Sequence, residues 1–162
     1  MGSTITAARL AAVVLALAAA GCARPYISPL APPPYRADIP AEYGSTWHAI
    51  VRALARQNLP LRVIARDSGV IASDAVVSPI GLYADCGRLG DERIEGEALV
   101  SFTLFAEPNG QGTRLQINST MRTQAHRRGA SGKLRPSPVY QCASTGRFEA
   151  NLLDEVRMLV RE

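Results

Sequence analysis

Residues 98–121, ALVSFTLFAEPNGQGTRLQINSTM, decide the fold that the sequence predicts. On either side of residues 107–110, apolar side chains occupy every second position. They are Ala98, Val100, Phe102 and Leu104 before that segment, and Leu115, Ile117 and Met121 after it, with Ser119 in the same register. A period of two is typical of a strand buried on one face, and Pro-Asn-Gly is typical of a turn. The stretch therefore predicts an antiparallel hairpin whose second face is in water.

Helical periodicity flanks this hairpin on both sides. Before it, the spacing i, i+3, i+4, i+7 is filled by Trp47, Ile50, Val51 and Leu54. Ser45 or Thr46 can cap this predicted helix, although Glu42 permits an earlier start, and Asn58 and Pro60 end it. After the hairpin, a second helix is predicted to follow Ser144-Thr145-Gly146, with a stripe formed by Leu152, Leu153, Val156, Leu159 and Val160.

A tighter hairpin is predicted between the first helix and the long hairpin. Leu61, Val63 and Ala65 alternate with their neighbours, Asp67-Ser68-Gly69 has turn chemistry, and residues 70–73 read VIAS. Residues 74–92 and 123–138 are predicted to be loops. The order α-β-β-β-β-α predicts a single α+β domain over residues 41–162, with a four-stranded antiparallel sheet and two helices packed on one face.

The first part of this domain resembles the domain unit of BamC-type lipoproteins, accessory subunits of the machinery that assembles β-barrels in the outer membrane. The resemblance is carried by Trp47, Ile50 and Leu54, by Val63 and Asp67, and by the run Gly69-Val70-Ile71-Ala72-Ser73. It implies a helix-grip arrangement and an accessory role in an outer-membrane complex. The cysteines Cys86 and Cys142 are not part of the BamC-type pattern.

The N-terminus has the features of an export signal. Arg9 precedes the uninterrupted apolar run LAAVVLALAAA at residues 10–20, which is shorter than the roughly 20 residues of a transmembrane helix. Ala19-Ala20-Gly21-Cys22 resembles the bacterial lipobox. That resemblance implies removal of residues 1–21 as a lipoprotein signal peptide and acylation of Cys22, with palmitate as the expected chain. The alternative is ordinary cleavage after Ala18-Ala19-Ala20, which leaves Cys22 an unmodified thiol.

Residues 22–40 are predicted to be a lipidated, proline-rich tether. Residues 23–40, ARPYISPLAPPPYRADIP, hold six of the chain's eleven prolines. Because proline lacks an N–H and fixes φ, the stretch is expected to be extended rather than a helix or a central strand. At about 3.1 Å per residue it can hold the domain up to roughly 50 Å from a membrane. A docking strip, gripped through the prolines, Tyr26 and Tyr35, is the alternative.

The chain has three cysteines, an odd number. If Cys22 is acylated, Cys86 and Cys142 remain, and an oxidising compartment allows them to form a disulfide. Two buried thiols or a reactive Cys86 are the alternatives. Neither of the two histidines, His48 and His126, lies near a cysteine pair in sequence, so no metal site is predicted.

Basic residues without an acid gather between residues 122 and 135. The candidate binding residues among them are Arg127, Arg128, Lys133 and Arg135. Near an anionic lipid surface or glycan each would contribute about 1 kcal/mol, and the alternative is a solvated loop. The net charge of +4, or +3 without Arg9, is too small to indicate nucleic-acid binding.

No motif for a nucleophile with its base, a metal-dependent hydrolase or a phosphate-binding loop is present, so neither catalysis nor a cofactor is expected. The sequence predicts a non-catalytic lipoprotein of the cell envelope. Cys22 is followed by Ala23 rather than by aspartate, and this resembles the sorting signal of lipoproteins that are sent to the outer membrane. The chain is therefore expected to be in the outer membrane and to face the periplasm. It would contact the membrane through its acyl chains and bind an envelope protein as an accessory component of an assembly or maintenance complex. The alternative is a periplasmic carrier of a small apolar ligand, held in a cavity between helix and sheet.

Overall fold

The computed structural model describes residues 25–124, 127–128, 134–135 and 138–162. This part of the chain holds thirteen strands and two helices. In chain order they are β1 (Tyr26–Ile27), β2 (Tyr35–Ile39), α1 (Tyr43–Arg56), β3 (Leu61–Ala65), β4 (Val70–Ser73), β5 (Val76–Pro79), β6 (Ala84–Asp85), β7 (Arg88–Leu89), β8 (Glu92–Arg93), β9 (Glu97–Asn109), β10 (Gly112–Gln124), β11 (Arg127–Arg128), β12 (Leu134–Arg135), β13 (Val139–Ser144) and α2 (Arg147–Val160).

An eight-stranded antiparallel sheet dominates the structure. At its centre, β9 and β10 form the predicted long hairpin, paired from Asn109 and Gly112 to Leu99 and Arg122. The strand order is β3-β4-β9-β10-β13-β6, with β5 also beside β9 and β2 also beside β10. A three-stranded sheet (β1-β7-β8) and a two-stranded sheet (β11-β12) are separate.

The predicted four-stranded sheet with two helices is wrong. The predicted strands are present as β3, β4, β9 and β10, but they belong to a sheet of eight, and a three-stranded sheet is formed as well. The added strands have two to six residues and arise mainly in segments that the sequence pattern assigns to tether or loop. Strands this short show little alternation of their own, because their pairing depends on partners far away in the sequence.

Both predicted helices are confirmed. α1 begins two residues before Ser45, and Glu42 occupies the N-cap position. The Ser45 hydroxyl donates a hydrogen bond to the Glu42 carboxylate at 3.2 Å. The chain leaves α1 through Asn58, whose φ of 51° ends the helical path before Pro60. α2 follows directly after Gly146, whose φ of 80° favours glycine.

The two helices cover one end of the inner face of the large sheet and form the larger of two hydrophobic cores. Its completely buried members come from both helices and from β4 and β9: Ile50, Leu54, Ile71, Leu104, Leu152 and Val156. Leu115 and Ile117 of β10 join them. The period-two pattern of the long hairpin is confirmed, because its alternate apolar residues are buried, Phe102, Leu104, Leu115 and Ile117 in this core and Ala98, Val100 and Met121 in the smaller one.

A smaller core occupies the other end of the same face. There Ala98 and Val100 of β9 and Met121 of β10 are covered by the segment 80–96, which contributes Ala84, Cys86 and Ile94. Three tyrosines pack against this core, Tyr26, Tyr83 and Tyr140, and the ring centroids of Tyr26 and Tyr140 are 4.6 Å apart. An irregular segment thus covers this end of the sheet as the helices cover the other.

Residues 26–27 and 35–39 of the predicted tether are strands that pair with other parts of the chain. β1 pairs with β7, and the Tyr26 hydroxyl donates to the Gln141 carbonyl at 2.7 Å. β2 pairs with β10 from Thr113 to Ile117. Prolines 32–34 and Pro40 flank β2 rather than interrupt it, because proline has no N–H for a strand ladder. The folded part of the chain therefore includes strands on the N-terminal side of residue 41.

Candidate functional site

The predicted disulfide between Cys86 and Cys142 is confirmed. The two sulfur atoms are 2.03 Å apart and the Cα atoms 4.1 Å apart. Cys86 is completely buried in the smaller core, and Cys142 lies in β13 opposite Met121 of β10. The bridge therefore ties the irregular covering segment to a strand of the large sheet, some residues before the last helix.

The other predicted site residues fall at the margins of the described chain. Cys22 and Lys133 lie outside the described residues. Arg127 and Arg128 form β11, which pairs with Leu134 and Arg135 of β12, so three of the four candidate basic residues belong to one small hairpin. Whether this hairpin binds an anionic surface stays a prediction.

Strand β3 is an open edge of the large sheet. It pairs with β4 on one side only, within the part of the chain that the structure describes. Val63 is 40 % exposed and Ile64 is 54 % exposed, although both are β-branched side chains of the kind that sheets usually bury. A register shift between Leu61 and Val63 interrupts the ladder at one end of β3. We call Val63, Ile64 and the free side of this strand the β3 edge.

Tyr43 fixes the β3–β4 hairpin to the first helix. Its hydroxyl donates a hydrogen bond to the carbonyl of Arg66, in the turn of that hairpin. Burial raises the pKa of the Tyr43 hydroxyl above its usual value, and the nearby Arg66 guanidinium opposes part of that rise. Tyr43 therefore remains a neutral donor at physiological pH, and the β3 edge is held by a contact to α1.

The outer face of the large sheet, opposite the helices, divides into two halves. Toward β10 and β2 it is polar and internally paired, because Arg114 lies 3.3 Å from Asp38 and 3.9 Å from Glu107. Toward β5 it carries the opposed pair Val77 and Leu99, both exposed. The apolar half of this face is therefore exposed to solvent at Val77 and Leu99.

Among the described residues, no group of three or more His, Cys, Asp or Glu side chains could hold a metal ion. No helix among them is long and apolar enough to cross a membrane.

Sequence reasoning missed the β3 edge as a candidate surface. The alternation of residues 61–65 is compatible with a strand that has neighbours on both sides, and the pattern does not say which strand ends the sheet. The signal that was available is the pair of arginines, Arg62 and Arg66, that flanks the apolar residues, since charged residues are common on edge strands.

Comparison of the chain with known protein families and with curated proteins gives no match.

Proposed function

We propose that this chain is a non-catalytic lipoprotein of the cell envelope, anchored through acyl chains on Cys22 in the outer membrane and facing the periplasm. It acts by binding an envelope protein, as an accessory component of an assembly or maintenance complex. The lipobox-like sequence before Cys22 supports the anchor. The Cys86–Cys142 bridge supports an oxidising compartment, because disulfides are rare where thiols are kept reduced.

The observation that carries the binding role is the β3 edge. A strand with one unpaired side offers a row of backbone donors and acceptors that a strand of another protein can complete. Here Val63 and Ile64 supply apolar side chains beside that row, and Tyr43 holds the hairpin in place. A preformed and fixed edge loses little conformational entropy when a partner strand pairs with it.

The acyl anchor is tested by mass spectrometry of the mature N-terminus. We expect the terminal residue to be Cys22 carrying acyl chains, and we expect Cys22→Ser to lose the acyl mass and leave the membrane fraction or accumulate as the precursor. Cys86→Ala is the control, because it also removes a cysteine but should retain the acyl mass. An unmodified thiol at Cys22 in the mature protein contradicts the anchor.

The partner surface is tested by placing a photoreactive amino acid at position 64 of the full chain in intact cells. We expect a discrete adduct with an envelope protein from position 64 and none from position 158. Met158 is a matched control, since it is also an exposed apolar residue, but on α2. Val63→Lys should remove the adduct without lowering the melting temperature. Equal adducts from both positions, or none from position 64, contradict the proposed surface.

The carrier alternative has weaker support. The space between the helices and the sheet is occupied by side chains such as Ile50, Leu104 and Leu152, each with no exposed surface. An apolar ligand there would have to displace side chains of a closely packed core.

A further inference from the structure

Strand β10 has a gap in its pairing on one side. β2 pairs with it up to Ile117, and β13 pairs with it from Met121 onward. Within the part of the chain that the structure describes, residues 118–120 between them have no strand partner on that side, although they pair with β9 on the other. The chain just before β2, Ala31-Pro32-Pro33-Pro34, lies against this gap. We call these four residues the proline strap. Three of them lack an N–H, so the strap cannot close the gap by pairing as a strand.

A cavity of about 140 Å³ lies between the proline strap and the sheet. Its apolar wall includes the strap itself, Tyr35 of β2, Ile117 of β10 and Ala143 of β13. Ser119, Ser144 and Glu149 also line it. The volume is close to the roughly 150 Å³ of an engineered apolar cavity that accommodates benzene, so a molecule with about six non-hydrogen atoms fits.

One polar group of this cavity is unsatisfied, and another is a carboxylate to which only a hydroxyl donates a hydrogen bond in the described part of the chain. The Ser119 hydroxyl oxygen is shielded from solvent and has no hydrogen-bond partner in the described structure. Glu149, in the first turn of α2, is only 3 % exposed. Its Oε2 accepts a hydrogen bond from the Ser144 hydroxyl at 2.8 Å, and that hydroxyl in turn accepts one from the Gly146 N–H at 2.9 Å. Among the described residues, no basic side chain forms an ion pair with Glu149.

A buried carboxylate without a cation and a buried hydroxyl without a partner both cost free energy unless something pairs with them. A neighbouring donor with positive charge satisfies both, because an ammonium group has three donors and no acceptor. The apolar wall suits a short hydrocarbon body on the same molecule. We propose that the strap cavity binds a small primary amine, with its ammonium group on Glu149 and Ser119 and its hydrocarbon part against the strap and Tyr35.

This site is independent of the acyl anchor and of the β3 edge, so it can fail or succeed separately from them. The test uses the full chain in a non-ionic detergent and two ligands of equal size, cyclopentylamine and cyclopentanol. Ligand-observed NMR measures their affinities. We expect the amine to bind roughly tenfold more tightly than the alcohol, since charge-assisted hydrogen bonds are about twice as strong as neutral ones.

Two variants test whether the amine binds in the strap cavity. Glu149→Gln keeps the size of the side chain and its acceptor for Ser144, and should abolish the preference for the amine. Ser119→Ala should weaken amine binding and, without ligand, should raise the melting temperature, because it removes a buried hydroxyl that has no partner. Glu107→Gln and Thr120→Ala, on the outer side of the same hairpin, are controls that should change neither affinity.

The proposal is overturned if the amine and the alcohol bind equally, if Glu149→Gln retains the preference, or if neither compound binds, which would mean a cavity filled by water only. Should Glu149→Gln not fold, Ser119→Ala decides the question, since unchanged amine affinity in that variant also contradicts the site.

Discussion

The inner face of the large sheet is covered in two different ways along the length of β9. At one end, two helices of fourteen residues each bring whole stripes of Leu, Ile and Val onto Phe102 and Leu104. At the other end, the segment 80–96 covers Ala98 and Val100 with three short strands and a disulfide. The first cover is a continuous apolar surface, whereas the second depends on Cys86 and on three tyrosines at its border, Tyr26, Tyr83 and Tyr140.

The difference shows where stability resides in this molecule. Hydrophobic stabilisation grows with the apolar area buried, so the larger core should supply most of it. The smaller core buries six side chains, three of which are Ala or Cys, so it buries less apolar area. The Cys86–Cys142 bridge adds a covalent link at this end of the sheet. We therefore expect the helix-covered end to govern global unfolding and the disulfide end to open locally.

The largest effect is expected from Leu152→Ala. Leu152 has no exposed surface in the larger core, and a cavity at such a position should lower the free energy of unfolding by about 4 kcal/mol. Urea denaturation followed by circular dichroism measures it. Met158→Ala, an exposed position on the same helix, is the control and should cost much less. A loss from Leu152→Ala as small as the control's would contradict the conclusion that the helix-covered end governs global unfolding.

A smaller effect is expected from loss of the Cys86–Cys142 bridge. Removal of the bridge should lower the free energy of unfolding by about 3 kcal/mol, which is typical of the loss of one disulfide. Hydrogen exchange of the double variant Cys86→Ala, Cys142→Ala gives the sharper result: amides of β6, β7 and β8 should lose protection while those of α1 and α2 keep theirs. Uniform loss of protection would show that the two ends unfold as one unit.

Tyr26→Phe should have a still smaller effect, confined to the disulfide end. It keeps the ring that packs on Tyr140 but removes the hydrogen bond to the Gln141 carbonyl. We expect a loss of about 1 kcal/mol in the free energy of unfolding, measured by urea denaturation. Tyr35→Phe is the control, because no hydrogen bond from the Tyr35 hydroxyl is found in the described structure. Equal losses from both variants would remove the assigned role of the Tyr26 hydroxyl.

The smallest effect on stability is expected from the basic hairpin, which extends from the disulfide end of β10. Changing Arg127, Arg128, Lys133 and Arg135 to Gln should alter the free energy of unfolding by less than about 0.5 kcal/mol, since Arg and Lys side chains are almost never fully buried without a partner and substitutions outside a core usually change stability little. The same variant should bind vesicles with anionic lipid more weakly than the parent chain at low salt, and equally at high salt. Unchanged binding at low salt would leave these residues a solvated hairpin.

The same contrast explains what the sequence could predict. Both helices and the long hairpin are present because each buries one face, and burial on one face leaves a regular period in the sequence. The β3–β4 hairpin is also present, although Val63 and Ile64 of β3 are both exposed and β4 has three consecutive buried residues. The segment at the disulfide end leaves no such period. Gly87 illustrates the reason: a Cβ there would lie 2.2 Å from the carbonyl oxygen of Ile27, so glycine allows β1 to pair with β7. The sequence around Gly87 does not indicate that the backbone of Ile27 comes so close to it.

The candidate surfaces were predictable to different degrees. Counting cysteines predicted the bridge between Cys86 and Cys142 on the assumption that Cys22 is acylated, because two cysteines then remain and an oxidising compartment allows them to pair. The strap cavity was not predictable, since the burial of Glu149 depends on Ser144 and on prolines more than a hundred residues earlier. A charged residue in the first turn of a helix is usually solvated and gives no local sign of burial.

The pairing of β1 with β7 limits the distance between Cys22 and the folded domain. Tyr26 follows Cys22 by four residues, which at about 3.6 Å per residue span no more than roughly 14 Å. If acyl chains hold Cys22 in a bilayer, the domain lies almost on the lipid headgroups, with its disulfide end toward them. Encounters with a membrane-embedded partner then become a two-dimensional search at a nearly fixed height. The partner that such a geometry selects is one whose accepting strand lies within a few nanometres of the membrane surface.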